Sequence, residues 1–318
     1  MKAFEYARPQ NLSQALEQGG TFKAGGVDLL SRMKRGTLSV KKLVDISALQ
    51  DLRFAPVLKK GELWIGAGLP LARLLEAGPL LPQGIRQAAA GTATPQIRNQ
   101  ASLVGNLLQE KRCLYLLDPE ISCLGNGGKG CPARDGHHAE LAILEPSPCL
   151  AIQASNLAPI LCALDARLFE FQGKDNLRSL RAFYQDWRKQ GERPKLPLTH
   201  SIRIPAASLR GGSAHHEVRV KQSFDWAIAT AAAHLVLDGD RVARASLWLG
   251  SVSDIPYQAK KVEQALQGKA PTDFKKALAL LDSDFELHSP QQDWKRKMAL
   301  LCAEKALRKS YDNAKEQR

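Results

Sequence analysis

The chain has 318 residues, 44% of them hydrophobic and 24% charged, the make-up of a folded protein large enough for two domains. Its net charge of +13 asks for an acidic partner or a well-solvated surface. The basic residues are dispersed and accompany no helix-turn-helix, zinc-finger or RNA-binding aromatic motif, so nucleic acid is not the expected ligand.

No apolar run approaches the roughly 20 residues of a membrane helix. The start, Met1-Lys2-Ala3-Phe4-Glu5-Tyr6, lacks the apolar core of a secretory signal. The expected location is cytoplasmic. The alternative is the periplasm, reached folded with a partner that carries a signal.

In chain order, residues 1 to 20 read as a strand and a short helix opened by Asn11. Thr21 to Leu30 reads as strand, glycine turn, helix, with Gly25-Gly26 at the turn. Paired glycines before a helix are often only a turn; they can also let several N–H groups converge on an anion. Residues 41–46 and 62–67 read as strands, and 69–75 and 84–90 as helices. Asn156 to Ala163 reads as a buried helix, Arg167 to Phe171 as a strand and Leu180 to Trp187 as a helix.

The proline-broken stretch 188–200 suggests a domain boundary near residue 195. Beyond it, 201–204, 216–221 and 241–250 read as three strands. The alanine-rich segment 225–237 reads as helical at first, and 258–266, 271–282 and 291–308 as three helices. A small sheet under a three-helix layer makes a two-layer domain over 196–310, with 311–318 a frayed tail. The fold class is α+β.

Four of the six cysteines, Cys113, Cys123, Cys131 and Cys149, fall within an eighth of the chain. A glycine-rich loop, Gly125 to Gly130, separates the second from the third. Thiolates around one inorganic centre could hold such a loop. The spacing lacks the tight pairs of ferredoxins and structural zinc sites, and by itself admits a cluster, a zinc ion or bare core cysteines. Cys162 and Cys302 lie in apolar runs and read as inert thiols.

Several stretches together resemble the flavin subunit of molybdenum hydroxylases, the xanthine dehydrogenase and carbon monoxide dehydrogenase family. They are Ala24 to Leu30, Gln96 to Asn106, Ala163-Leu164-Asp165-Ala166, Ser223 to Ala227, Leu249-Gly250 with Pro256, and Val262 to Leu266. The four cysteines are similar to those of a subgroup containing periplasmic aldehyde oxidoreductase and 4-hydroxybenzoyl-CoA reductase flavin subunits.

That resemblance implies a two-part FAD-binding domain of the PCMH/vanillyl-alcohol-oxidase type over 1–195, with a [4Fe-4S] insertion at about 110–150. It also implies a [4Fe-4S] cluster on Cys113, Cys123, Cys131 and Cys149. FAD would be held by Lys23, Ala24, Gly25, Gly26, Val27, Asp28, Leu29 and Leu30, then Ala101, Ser102, Gly105 and Asn106, with Asn156 and Lys221. The partners implied are a molybdopterin-binding large subunit, where substrate is oxidised, and a [2Fe-2S] small subunit. Electrons would pass through FAD to an external acceptor, with no catalytic side chain here.

The sequence departs from the family pattern at four places. Val27 stands where threonine is usual, Val104 where the second loop usually has its first glycine, Asn156 where aspartate is usual, and Glu217 near a usual lysine. A β-branched residue is strained at positive φ. The alternative reading is therefore a flavin-less iron–sulfur or scaffold subunit.

Overall fold

The computed structural model describes residues 1–144, 147–171, 175–190, 198–221 and 224–317. The expected boundary at 195 and Ser223 of the expected motif lie outside them.

The N-terminal part is a βαβαβ unit. Strand β1 (Glu5–Ala7) leads to helix α1 (Leu12–Gln18), β2 (Thr21–Lys23), α2 (Val27–Arg35) and β3 (Lys42–Asp45). The Asn11 side chain accepts from Gln14 N–H and caps α1, as its position in the sequence predicts. Both outer strands run parallel to β3, giving the order β1-β3-β2. The turn from β2 into α2 thus lies at the carboxyl end of a parallel strand, where α/β units place ligands.

The chain then forms β4 (Val57–Lys59), β5 (Glu62–Gly66) and the helices α3 (Leu71–Glu76), α4 (Gln83–Gly91), α5 (Pro95–Gln100), α6 (Leu103–Leu107) and α7 (Leu114–Leu117). After the cysteine-bearing loop come α8 (Leu157–Ala163), β6 (Arg167–Phe171), β7 (Asp175–Ser179), α9 (Leu180–Gln190) and β8 (Leu198–Pro205). These strands make a five-stranded antiparallel sheet in the order β4-β5-β8-β6-β7. Leu63, Ile65, Ile202, Ile204 and Leu168 on one face bury against α3, α4, α8 and the Phe183-Tyr184-Trp187 run of α9. The segment 201–204, expected in the C-terminal domain, is part of β8, the central strand of this sheet. Its alternating Ile202 and Ile204 complete a core whose other residues lie far upstream.

The last part holds β9 (Gly212–Val218), β10 (Ala229–Asp238), β11 (Arg241–Gly250) and the two-residue β12 (Tyr257–Gln258), in the order β12-β11-β10-β9. Over it lie α10 (Lys260–Leu266), α11 (Phe274–Leu278) and the long α12 (Gln292–Glu316). Three long strands under a helical layer are as expected, but their identities differ.

The segment 225–237 is not helical. Its alanines form β10 because they are buried on both faces: Ala229, Ala231 and Ala233 against α12, Ala232 against the first core. Small side chains let helices approach both faces of the strand, and that tertiary gain overrides alanine's helix propensity. The tail is not frayed either. Helix α12 continues to Glu316, with Ser310 donating to Gly212 O and Asn313 to Ser213 O. Among the described residues no helix is long and apolar enough to cross a membrane.

Candidate functional site

The two loops expected to hold a flavin meet directly. A Cβ built on Gly25 would lie 1.7 Å from the Gln100 carbonyl oxygen, so only glycine permits the approach. Gly26 takes the left-handed region at φ 75° and starts α2 without any side-chain cap. The first N–H groups of α2 are therefore left for an acceptor, with the positive end of the helix behind them. Beside this turn a cleft is lined by Ala24, Gly25, Ser47, Arg53, Asn99 and Gln100.

The side chains of the other residues of the first stretch are engaged within the protein. Lys23 donates to Asp45 at 3.1 Å. Asp45 also accepts from Tyr6 Oη and Ser47 N–H. Despite a desolvation effect that opposes it, this set of donors holds Asp45 down at about 2. Val27, first residue of α2, offers its carbonyl to Ser31. Asp28 accepts from Glu110 N–H and pairs with Arg112 at 2.9 Å, while Arg32 pairs with Glu110 at 2.9 Å. Leu29 and Leu30 pack on the small core of Met33, Val40 and Leu43.

The second stretch is two short helices, α5 and α6, and not an open loop. Ser102 caps α6 by accepting from Gly105 N–H at 3.2 Å. Leu103 N–H and Val104 N–H donate to Leu69 O and Ala67 O. Val104 is helical and buried, and it is not among the residues with positive φ. The strain expected of a valine in a glycine position therefore does not arise. Ala101 hydrogen-bonds through its backbone to Ile97 and Leu71. Asn106 is buried and accepts from Ser155 Oγ at 2.7 Å.

Two departures from the family pattern turn out to be one contact. Asn156 Nδ2 donates to Glu217 Oε2 at 2.6 Å, and Arg219 pairs with the other oxygen of Glu217 at 2.6 Å. Amide, carboxylate and guanidinium form a neutralised set on the seam between α8 and β9. Lys221, past the end of β9, is exposed and stands outside it.

All four clustered cysteines are free thiols and lie in one loop system. Cys113, Cys131 and Cys149 share a small apolar core with Ala133, Leu141 and Leu150. Burial pushes the Cys113 thiol up; the N–H groups of Leu116 and Tyr115 oppose this, and the thiols of Cys131 and Cys123 add to it. Burial likewise pushes Cys149 up, against the Ala151 N–H and the Lys111 ammonium, with Cys131 and Cys113 adding to it. The fold thus brings Cys113 near Cys131 and Cys123, and Cys149 near Cys131 and Cys113. Among the described residues, no three His, Cys, Asp or Glu side chains form a group that could hold a single metal ion. Cys162 and Cys302 lie apart, in the two main cores.

The loop is anchored at both ends. Arg112 and Ile152 form a backbone bridge that holds the Cys113 and Cys149 limbs side by side. Lys111 and Arg188 both pair with buried Asp254, at 3.1 and 2.6 Å. From the C-terminal helix, Gln292 donates to His138 O and Lys295 to Glu140 O. Arg112 also stacks on Trp226, 4.4 Å from the ring centre. Sequence reasoning missed Arg53, Arg112, Asp254 and Lys295. Arg112 beside Cys113 was the one signal available; the others become neighbours of the site only through the fold.

Residues 2–207 match the family described as "FAD binding domain in molybdopterin dehydrogenase". Residues 214–310 match "CO dehydrogenase flavoprotein C-terminal domain". The chain is 31% identical over 311 residues to the aldehyde oxidoreductase FAD-binding subunit PaoB of Escherichia coli (strain K12), covering 90% of this chain and 94% of that one. It is 23% identical over 341 residues to the carbon monoxide dehydrogenase medium chain of Afipia carboxidovorans, covering 98% of each. Its fold resembles a chain of the reconstituted CO dehydrogenase from Oligotropha carboxidovorans, with a TM-score of 0.75 at 21% identity over 98% of this chain and 99% of that one.

Proposed function

The chain belongs to the FAD-binding subunits of molybdenum hydroxylases, an oxidoreductase family, and from that membership we propose that it relays electrons from a molybdenum-bearing partner to an external acceptor. Substrate is oxidised on a molybdopterin-binding large subunit, and a [2Fe-2S] small subunit stands between that centre and this chain. FAD supplies the redox chemistry when bound. The chain's own residues bind and orient it.

The residues proposed to hold FAD are Lys23 to Leu30, Ala101, Ser102, Gly105, Asn106, Asn156 and Lys221. The observation that carries this reading is the uncapped start of α2 behind Gly25-Gly26, beside an open cleft. Gly25 permits close backbone approach, and the first N–H groups of α2 are the donors best placed for phosphate. Lys23 and Asp28 act as braces: one neutralises Asp45, the other ties α2 to the segment before Cys113.

We assign Cys113, Cys123, Cys131 and Cys149 to a [4Fe-4S] cluster. Thiolates are ligands for zinc and for iron–sulfur clusters alike. A cluster binds each thiolate to a different iron and suits a wider set. The loop's double anchoring supports a preformed cradle.

One observation favours the flavin-less alternative: the N–H groups of Leu103, Val104 and Gly105 are already bonded within the protein. Spectra of the anaerobically purified chain, with iron and sulfide assays, decide between the two. FAD bands at about 450 nm support the flavin reading, and a broad iron–sulfur shoulder without them supports the alternative. About four irons and four sulfides per chain support the cluster; their absence removes it under either reading.

A further inference from the structure

We propose that Arg53 is the cation that faces the diphosphate of FAD, acting from outside the two loops expected to bind it. This rests on the flavin reading above. Arg53 lines the same cleft as Ala24, Gly25 and Gln100.

Its backbone is rigidly placed. Arg53 N–H donates to Gln50 O at 2.8 Å, and the preceding residue, Leu52, is buried. Leu52 O accepts from Gly68 N–H at 2.6 Å, and a Cβ on Gly66 would lie 2.6 Å from that oxygen. The turn carrying Arg53 is thus pressed onto the end of β5 at positions where only glycine fits. The guanidinium is steered by one bond, from Nη1 to Ser47 O at 2.8 Å, which leaves its other donors available.

Charge singles out this residue. Lys23, the nearest cation in the expected loop, is consumed by Asp45. Arg53 pairs with no carboxylate among the described residues, so its charge is uncompensated at the mouth of the cleft. A dinucleotide diphosphate brings two negative charges to the turn at Gly25. Guanidinium matches phosphate oxygens bidentately. It thereby supplies the side-chain donor that Val27, unlike threonine, does not.

The test is titration of the flavin-free full-length chain with FAD and with riboflavin, for wild type, Arg53→Ala and Arg53→Lys. Arg53→Ala is expected to weaken FAD at least tenfold and to leave riboflavin, which has no phosphate, unchanged. Arg53→Lys is expected to lose less affinity than Arg53→Ala, since a point charge still attracts phosphate but lacks the bidentate fork. Added salt is expected to weaken FAD binding more for wild type than for Arg53→Ala.

If wild type binds FAD and Arg53→Ala binds it equally well, the arginine has no such role and the flavin reading stands. Equal losses of FAD and riboflavin indicate damage to the cleft and overturn the proposal. If wild type takes up no FAD, the flavin reading itself fails. Arg53 is exposed, so both variants are expected to melt as wild type does.

Discussion

Lys295 is fully buried in the first turns of α12, with its ammonium donating to Glu140 O. Desolvation pulls its pKa from 10.5 down to about 7, against the Glu140 charge. In the unfolded chain the amine keeps its ordinary value. Between pH 7 and 10.5 the unfolded state therefore holds a proton that the folded state has released, and raising the pH favours folding. Each unit in that window contributes about 1.4 kcal/mol. Below pH 7 both states are protonated and the dependence disappears.

Cys162 and Cys302, both pushed up by burial and Cys302 to about 12, work in the opposite sense above about pH 9, where the unfolded thiols ionise first. Comparing wild type with Lys295→Met cancels their effect, because both proteins carry them. Urea unfolding at pH 7, 8 and 9 is expected to show wild type gaining about 2–3 kcal/mol relative to the variant across the series. A difference that stays flat with pH would refute the account of Lys295 as a buried amine that gives up its proton on folding.

Asp254→Ala is expected to cost about 3–5 kcal/mol in urea, because it strands Lys111, which is buried, without a counter-charge. The double variant Lys111→Met/Asp254→Leu is expected to recover much of that loss. Gly25→Ala forces the first loop off Gln100 O, with an expected cost of about 1–3 kcal/mol and loss of FAD uptake measured by fluorescence. Cys123→Ser is expected to lower iron and sulfide content, whereas Cys162→Ser, in a separate core, is expected to leave both unchanged by colorimetric assay.

Local chemistry was readable where the cause is local. Asn11 announces α1, and Gly25-Gly26 announces a close approach, because cap and turn geometry are properties of a few adjacent residues. The cysteines were legible as a group for the same reason. What the sequence hid depends on distant partners. Ala229 to Ala233 carries the composition of a helix and becomes a strand because two layers of helices close on it. Asn313 looks like part of a polar tail until Ser213 is seen to need a donor. Val104 looked like a misfit because a loop was expected where α6 forms. Asn156 and Glu217, two unrelated oddities along the chain, explain each other across the seam.

The placement of β8 has a consequence for the order of events during synthesis. Glu62 of β5 must wait for Pro205 before it finds its central partner, and β6 likewise docks on a strand made after it. All four clustered cysteines have left the ribosome before that strand is complete. Contacts so distant in sequence close slowly, and domains tend to fold as units while the chain grows. The thiol-bearing loop therefore passes a period on a half-built scaffold, open on the side that Val252 to Asp254 and α12 will later cover. Oxidation of the unprotected thiols would do most of its damage in that interval.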